Sequence, residues 1–188
     1  MTQSILRRPL VFVDIETTGF SPASSRVLEV GVVRVEDRRV VDTFQTLIHP
    51  RAPIAYPITR LTGITNQMVA QAPPFEHIAL ELGRRLSGAV FVAHNVSFDY
   101  GFIKAEYDRL NIAFTPKQLC TVRLSRALYP NAKGHKLQDL ISRHQLKTAN
   151  RHRAYDDAEA LWQFLQVAQS ELGPVPVETA MLRQLQPA

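Results

Sequence analysis

Four acidic side chains and one histidine stand in three short segments that are far apart along the chain. The segments are FVDIETTGF, AHNVSFDYGF and HRAYDDAEA, and in order they contain Asp14 and Glu16, then Asp99, then His152 and Asp157. Carboxylates grouped around an imidazole can hold divalent cations against a phosphodiester and activate a water molecule to cut it. This chemistry requires the three segments to meet in space, so the elements that carry them decide the case.

Each segment is weak evidence when it is taken alone. Asp14 and Glu16 are two residues apart at the end of a predicted strand, so both carboxylates point to one face. An Asp-x-Glu pattern nevertheless arises by chance about 0.4 times in such a chain, and the spacing of His152 and Asp157 is similarly common. Asp99, in the first turn of a predicted helix, could simply stabilise the helix dipole. Carboxylates near buried strands lose contact with water, and this desolvation must be compensated by another interaction. The presence of several such carboxylates in one chain therefore favours a shared site.

A shared site would need a cation, because carboxylates that are packed together repel one another. Hard oxygen ligands without cysteine favour Mg²⁺ or Mn²⁺ over structural zinc. The single cysteine, Cys120, cannot form an internal disulfide. We therefore interpret it as a small buried apolar side chain in a reducing, cytoplasmic protein.

The composition is that of a globular domain with a basic balance. The chain has 188 residues, of which 45% are hydrophobic and 21% charged, with a net charge of +5. No apolar stretch is long enough to cross a bilayer, and no secretory signal is apparent, so we expect no membrane association. The positive charge favours a polyanionic partner only weakly. Basic residues cluster near the third segment, at Lys133, Lys136, Arg143, Lys147, Arg151 and Arg153.

The hydrophobic pattern predicts an α/β fold around a mixed sheet. Strands are predicted over residues 10–14, 27–35, 40–48 and 89–93, with Glu36–Arg39 as a hairpin link between the second and third. Helices are predicted over 66–71 with Thr65 as cap, 74–87, 96–110 with Asn95 as cap, 121–129, 137–146 and 154–170. The proline-rich residues 49–57 are predicted to be irregular, and the tail from Gly173 to be weakly structured. The first three strands should be antiparallel, and a later strand should be reached by a crossover connection.

The three segments together resemble the exonuclease motifs of the DEDDh family of 3′–5′ exonucleases, in order and in spacing. The matching stretches are DIETTG, HNVSFD and H-x-x-x-x-D, and RVLEVGVV and RLTGIT support them. Within the family, the similarity is to the proofreading epsilon subunits of bacterial DNA polymerase III. The resemblance implies an RNase H-like fold, with an exonuclease domain over residues 1–172 and a short C-terminal tail over 173–188.

The resemblance also implies a two-metal mechanism that uses two divalent cations, Mg²⁺ or Mn²⁺. Asp14, Glu16 and Asp157 would ligate the metals, and Asp14 would bridge them. Asp99 would bind mainly through water or the second metal. His152 would be the general base, a task that suits an imidazole near neutral pH.

Three further positions match substrate contacts of the family, namely Thr17, Leu61 and Phe98. Thr17 would meet the terminal nucleotide, Leu61 would press on the last base, and Phe98 would stack or pack beside it. Core packing is the alternative for Leu61 and Phe98, since apolar side chains are more often core than site.

The implied function is release of nucleoside monophosphates from the 3′ ends of single-stranded DNA, in proofreading or repair. A DNA polymerase subunit is then an expected partner. An exoribonuclease that trims RNA 3′ ends is an alternative, because the same motifs serve both and the contact with the 2′-hydroxyl decides between them. A non-catalytic nucleic-acid-binding or polymerase-accessory module is an alternative of another class.

Overall fold

The computed structural model describes residues 5–150 and 152–185. Within that part of the chain the strands are β1 (Leu10–Thr17), β2 (Val27–Glu36), β3 (Arg39–Leu47), β4 (Val90–Ala93) and β5 (Gln118–Cys120). The helices are α1 (Tyr56–Thr62), α2 (Asn66–Val69), α3 (Phe75–Leu86), α4 (Val96–Arg109), α5 (Thr121–Leu128), α6 (Leu137–His144), α7 (Ala154–Leu172) and α8 (Pro174–Leu185). A short 3₁₀ turn, Ile5–Arg7, precedes β1.

The strands of residues 5–150 form one mixed sheet in the order β3-β2-β1-β4-β5. β1, β2 and β3 are antiparallel neighbours, whereas β4 runs parallel to β1 and β5 parallel to β4. The predicted α/β class and mixed sheet are therefore confirmed, in agreement with the RNase H-like fold that the resemblance implies. The predicted hairpin link is also confirmed, because Glu36 pairs with Arg39 across a two-residue turn in which Asp37 and Arg38 have positive φ.

Alternation along β1 separates two apolar layers. Leu10 and Phe12 belong to the cluster that α7 covers, whereas Val11, Val13 and Ile15 belong to the cluster under α3 and α4. Since side chains alternate along a strand, Asp14 and Glu16 continue the face of Leu10 and Phe12. The predicted carboxylate pair thus lies on the α7 side of the sheet.

Several predicted elements differ from those observed at the irregular parts of the chain. Tyr56 and Pro57 begin α1 instead of ending an irregular segment, because proline is well tolerated in a helix's first turn. β5 was not predicted, and it has only three residues. Thr65 caps α2 as predicted, accepting a hydrogen bond from the Met68 N–H at 3.2 Å. Asn95 stands at the start of α4 with φ 64°, but its side chain makes no capping hydrogen bond.

The prediction of a weakly structured tail was wrong for residues 174–185. They form α8, whose Val177 and Met181 are fully buried in the cluster under α7. Residues 186–188, the end of the predicted tail, lie outside the described residues. Cys120 is buried as predicted. In the described ranges, none of the helices combines the length and apolar character needed to span a bilayer.

Candidate active site

The carboxyl end of β1 extends beyond the strand beside it. β4 pairs with β1 only from Leu10 to Phe12, so Asp14 and Glu16 lie past the end of that pairing. On the other side, β2 continues along β1 and places Gly31 opposite Asp14, and Glu29 opposite Glu16. The two carboxylates therefore stand at an open sheet edge on one side and against β2 on the other.

Gly31 allows the start of α7 to lie directly on the sheet. A Cβ atom at this position would be 2.2 Å from both the Ala154 carbonyl carbon and the Tyr155 nitrogen. Real Cβ atoms essentially never approach backbone so closely, so any side chain here would force the helix away. Because Gly31 is the partner of Asp14, the first turn of α7 lies beside Asp14, and this turn carries Asp157.

A buried carboxylate fixes the chain just before α7. Glu29 is fully buried and accepts hydrogen bonds from Arg153 Nη2 at 2.7 Å and from Arg153 Nε at 3.1 Å. It also accepts the Ala154 N–H at 3.1 Å and the Gln45 side-chain amide at 2.9 Å. The hydrogen bond with Glu29 raises the pKa of Arg153 above its ordinary value. Glu29 thus binds the last residue before the helix and the first residue within it.

His152 precedes this anchored arginine and has φ 59°, in the left-handed region. Non-glycine residues adopt this conformation rarely, and histidine is among those that adopt it most often. In this position it lies near Glu16 and Asp157, and the three residues each offer a ligand atom within 4.8 Å of the others. Two carboxylates and an imidazole at this separation could hold a metal ion.

Asp99 reaches the same edge from the first turn of α4. Its side chain is buried, and the backbone N–H groups of Ile15 and of Asp99 itself donate to its carboxylate. Burial raises the pKa of Asp99 to about 8, although these two hydrogen bonds act in the opposite direction. Since Ile15 lies between Asp14 and Glu16, Asp99 stands against the segment that carries the predicted carboxylate pair. A carboxyl group held in this way would be ionised readily only with a positive charge beside it.

The structure thus brings together every segment from which the sequence predicts a metal site. Asp14 and Glu16 on β1, Asp99 on α4 and His152 and Asp157 at the start of α7 share the carboxyl edge of the sheet. The donor set is four carboxylates and one imidazole, which fits hard divalent cations. Asp14 and Asp99 are outside the group that lies within 4.8 Å, so they extend the site rather than complete that group.

The three predicted substrate contacts have different surroundings. Leu61 on α1 is 49% exposed, so it is available for contact. Thr17 is buried, and its hydroxyl donates to the Gly19 carbonyl at 2.6 Å. Phe98 is half-buried, with its ring 4.9 Å from that of Phe102. Phe20, which the sequence did not single out, is 80% exposed in the loop after β1.

Glu29 and Gly31 are the positioning residues that sequence reasoning missed. Their signal was present, since a lone acidic residue and a glycine interrupt the apolar run VLEVGVV. A buried carboxylate within a strand needs a cationic partner, and a strand glycine often marks a close approach of another backbone.

A group of carboxylates at the carboxyl edge of such a sheet is the arrangement that a metal-dependent nuclease requires. The family model described as Exonuclease (RNase_T) matches residues 11–165. The chain therefore belongs to this exonuclease family, and the resemblance predicted from its motifs is confirmed.

Two curated relatives and one solved structure illustrate the similarity. The PolC-type DNA polymerase III of Caldanaerobacter subterraneus subsp. tengcongensis is 39% identical over 159 residues, which cover 85% of this chain and 11% of that protein. The 3′-5′ exonuclease DinG of Bacillus subtilis is 39% identical over 155 residues, covering 81% of this chain and 17% of that protein. The chain thus spans less than a fifth of the length of these relatives. Exonuclease X in complex with 5′ overhanging duplex DNA has a TM-score of 0.70 and 26% identity, over 87% of this chain and 93% of that one.

Proposed function

We propose that this chain is a metal-dependent 3′–5′ exonuclease that releases nucleoside monophosphates from the 3′ ends of single-stranded DNA. The observation that carries the proposal is the grouping of Glu16, His152 and Asp157 within 4.8 Å, beside Asp14 and Asp99. Membership of the exonuclease family supports it. So do the names of two similar proteins, the 3′-5′ exonuclease DinG and the exonuclease X that was solved with DNA.

In this proposal the carboxylates of Asp14, Glu16, Asp99 and Asp157 would hold two divalent cations, Mg²⁺ or Mn²⁺. When bound, the cations would stabilise negative charge on the attacking and leaving oxygens of the phosphodiester.

His152 takes the proton of the attacking water through a ring nitrogen. An imidazole can accept a proton at neutral pH without an activating partner, which makes histidine the commonest general base. Anchoring of Arg153 by Glu29 supports this role, because it fixes the backbone next to His152 on the side toward α7. The left-handed conformation of His152 then sets the direction in which the ring leaves the chain.

The remaining parts of the proposal concern the substrate and the setting. Leu61 and Phe98 contact the terminal nucleotide, and Thr17 contributes its backbone or hydroxyl. A DNA polymerase is proposed as a partner, which the similarity to PolC-type DNA polymerase III supports. The exonuclease domain would cover residues 1–172, and α8 of the segment that follows it packs against the domain's core. A cytoplasmic location agrees with a lone buried cysteine.

Adjacent aspartates on α7 provide the sharpest test of the metal assignment. Asp156 and Asp157 differ by about 100° around the helix, and only Asp157 is assigned to the site. We expect Asp157→Asn to abolish degradation of a 5′-labelled oligonucleotide in Mg²⁺ or Mn²⁺, while Asp156→Asn retains most of the activity. Equal activity of the two variants would refute the assignment. Asp14→Ala should also be inactive with an unchanged Tm.

His152→Ala tests the assignment of the general base. The variant should lose activity by about 10²-fold or more while its affinity for Mn²⁺ stays close to that of the wild type. Titration with Mn²⁺ separates the two roles, since a large loss of affinity would make His152 a ligand instead.

RNA and DNA strands of identical sequence, offered together, give the substrate class. Preferential shortening of the RNA would replace the proposed substrate.

A further inference from the structure

A cavity of about 610 Å³ lies at the same edge of the sheet as the candidate active site. Its walls come from the corner between β4 and α4, from α5, from the loop that follows α5, and from the start of α6. The polar residues that line it include His94, Arg126, Lys133, His135, Lys136 and Asp139. We call this cavity the basic cleft.

The basic cleft carries an excess of positive charge. Arg126, Lys133 and Lys136 are exposed, and within residues 5–150 and 152–185 none of them forms an ion pair with an acidic side chain. Asp139 is the one carboxylate among the described lining residues, and it accepts the Lys136 backbone N–H at 2.8 Å. Three cations therefore face solvent against one carboxylate that is occupied at the start of α6.

The walls of the basic cleft are braced from behind. Arg143 donates to the Gly134 carbonyl, and His135 Nδ1 lies 2.9 Å from the Ser125 hydroxyl. Partial burial, followed by the charges of Arg143 and Arg126, lowers the pKa of His135. The loop that carries Lys133 and Lys136 is thus held at both of its inner residues.

The corner between β4 and α4 lines the basic cleft and also leads into α4, the helix that carries Asp99. β1, β4 and β5 are parallel, so their carboxyl ends meet at one edge. The Thr121 hydroxyl lies 2.9 Å from His94 Nδ1 and donates to the Ala93 carbonyl at 3.3 Å, which ties α5 to this corner. Asp99 stands in the first turn of the helix that begins after the same corner.

We propose that the basic cleft binds the sugar–phosphate backbone of the strand on the 5′ side of the scissile bond. The inference rests on the proposed function, because an exonuclease that removes the last nucleotide must accommodate the rest of the strand on its surface. Lys and Arg side chains that track a groove bind single strands without sequence preference, and the binding depends strongly on salt. The cleft therefore makes long strands bind more tightly than short ones, whereas the carboxylate site alone determines the rate on the shortest substrates.

The test compares removal of two cleft cations with removal of two cations elsewhere. The cleft variant is Lys133→Ala/Lys136→Ala, and the control is Arg39→Ala/Arg84→Ala, whose residues are exposed on the β2–β3 hairpin and on α3. Affinity for a labelled 20-nucleotide strand is measured by fluorescence anisotropy in EDTA at several salt concentrations. The ratio kcat/KM is measured in Mn²⁺ for the same strand and for a dinucleotide.

We expect the cleft variant to bind the 20-nucleotide strand about tenfold more weakly. The plot of log K against log salt should become less steep, with the magnitude of its negative slope smaller by about 1.4. Its kcat/KM for the dinucleotide should stay within twofold of the wild type, and the control variant should match the wild type in every measurement. Unchanged binding of the long strand would overturn the proposal, as would an equal loss on both substrates or in both variants.

The two proposals fail in distinguishable ways. If the wild type cleaves nothing while the cleft variant still loses affinity for the strand, the exonuclease function fails, and of the cleft proposal only the binding of a single strand holds. A polyglutamate peptide tests the other polyanionic occupant. If it competed with the strand on equal terms, and with the same loss in the cleft variant, the cleft would be a docking site for an acidic protein segment, and the proposal would be wrong.

Discussion

Replacing Gly31 by alanine should move the start of α7 and thereby disable the candidate active site. The added Cβ would lie 2.2 Å from the Ala154 carbonyl carbon and the Tyr155 nitrogen, and 2.3 Å from the Ala154 carbonyl oxygen. All three are backbone atoms, so no side-chain rotation can relieve the contact. An ordinary separation requires roughly 1.2 Å of movement between β2 and the first turn of α7.

This displacement has consequences for both stability and rate. Overpacking of a well-packed interface costs about 1–3 kcal/mol of the free energy of unfolding. For a chain of this size, such a loss corresponds to a fall in Tm of about 2–12 °C. The first turn of α7 also carries Asp157, so a shift of about 1 Å should lower kcat/KM by about 10²-fold.

Gly101→Ala is the matched control. A Cβ there would meet only the Pro22 Cγ at 3.6 Å, an ordinary contact, and the position lies inside α4 near Asp99. Alanine is favoured over glycine in a helix by about 0.5–1 kcal/mol, so this variant should be as stable as the wild type or slightly more so, with unchanged activity. Thermal unfolding and the degradation rate of a labelled oligonucleotide measure both variants. Wild-type Tm and rate in Gly31→Ala would refute the reasoning.

Three other predictions test the support of the site and the limits of the fold. Glu29→Gln should lower the free energy of unfolding in urea by about 2 kcal/mol and reduce activity, since the guanidinium that it binds loses its counter-charge; Asp108→Asn, at an exposed pair, should change neither, and equal effects would contradict the argument. In EDTA, Tm should fall as pH rises from about 5 to 8. Burial raises the pKa of Asp99 to about 8, so in this range the folded state keeps a proton that the unfolded state has lost. The free energy of unfolding then decreases by up to about 1.4 kcal/mol per pH unit. Asp99→Asn should flatten this dependence, and an equally steep profile in the variant would assign it to other groups. Met181→Ala should lower the free energy of unfolding by about 2–4 kcal/mol, because the side chain is fully buried under α7; Leu182→Ala, at a position 38% exposed, should cost far less, and similar losses would mean that α8 is not part of the core.

The strands and most helices could be predicted because local patterns determine them. The β-branched runs of β1, β2 and β3 are long enough to have no competing interpretation, and the link Glu36–Arg39 has the length of a tight hairpin. The periodicity of α3, α4 and α7 similarly extends over three or more turns. These elements also carry four of the five predicted site residues, and His152 lies two residues before α7, so the site could be assembled from sequence in outline.

The errors fall where tertiary packing overrides local signals. The tail after Gly173 contains Pro174 and Pro176, which predict irregular structure, but both lie in the first turn of α8, where a missing N–H costs nothing. Val177 and Met181 then bury their side chains against the core, which supplies the stability that propensity lacks. No pattern within the tail alone indicates that its apolar side chains will pack against a hydrophobic surface formed by other parts of the chain.

The positioning residues of the site depend on strand register, which no single segment encodes. In the observed register Asp14 faces Gly31 and Glu16 faces Glu29, and alternation puts all four on the side that α7 covers. One position of slip would put Asp14 opposite one of the valines that flank Gly31. The helix would then have neither the gap in which it lies nor the carboxylate that binds Arg153. The register that places Asp14 and Glu16 beside α7 therefore also places Gly31 where the helix approaches the sheet and Glu29 where it binds Arg153.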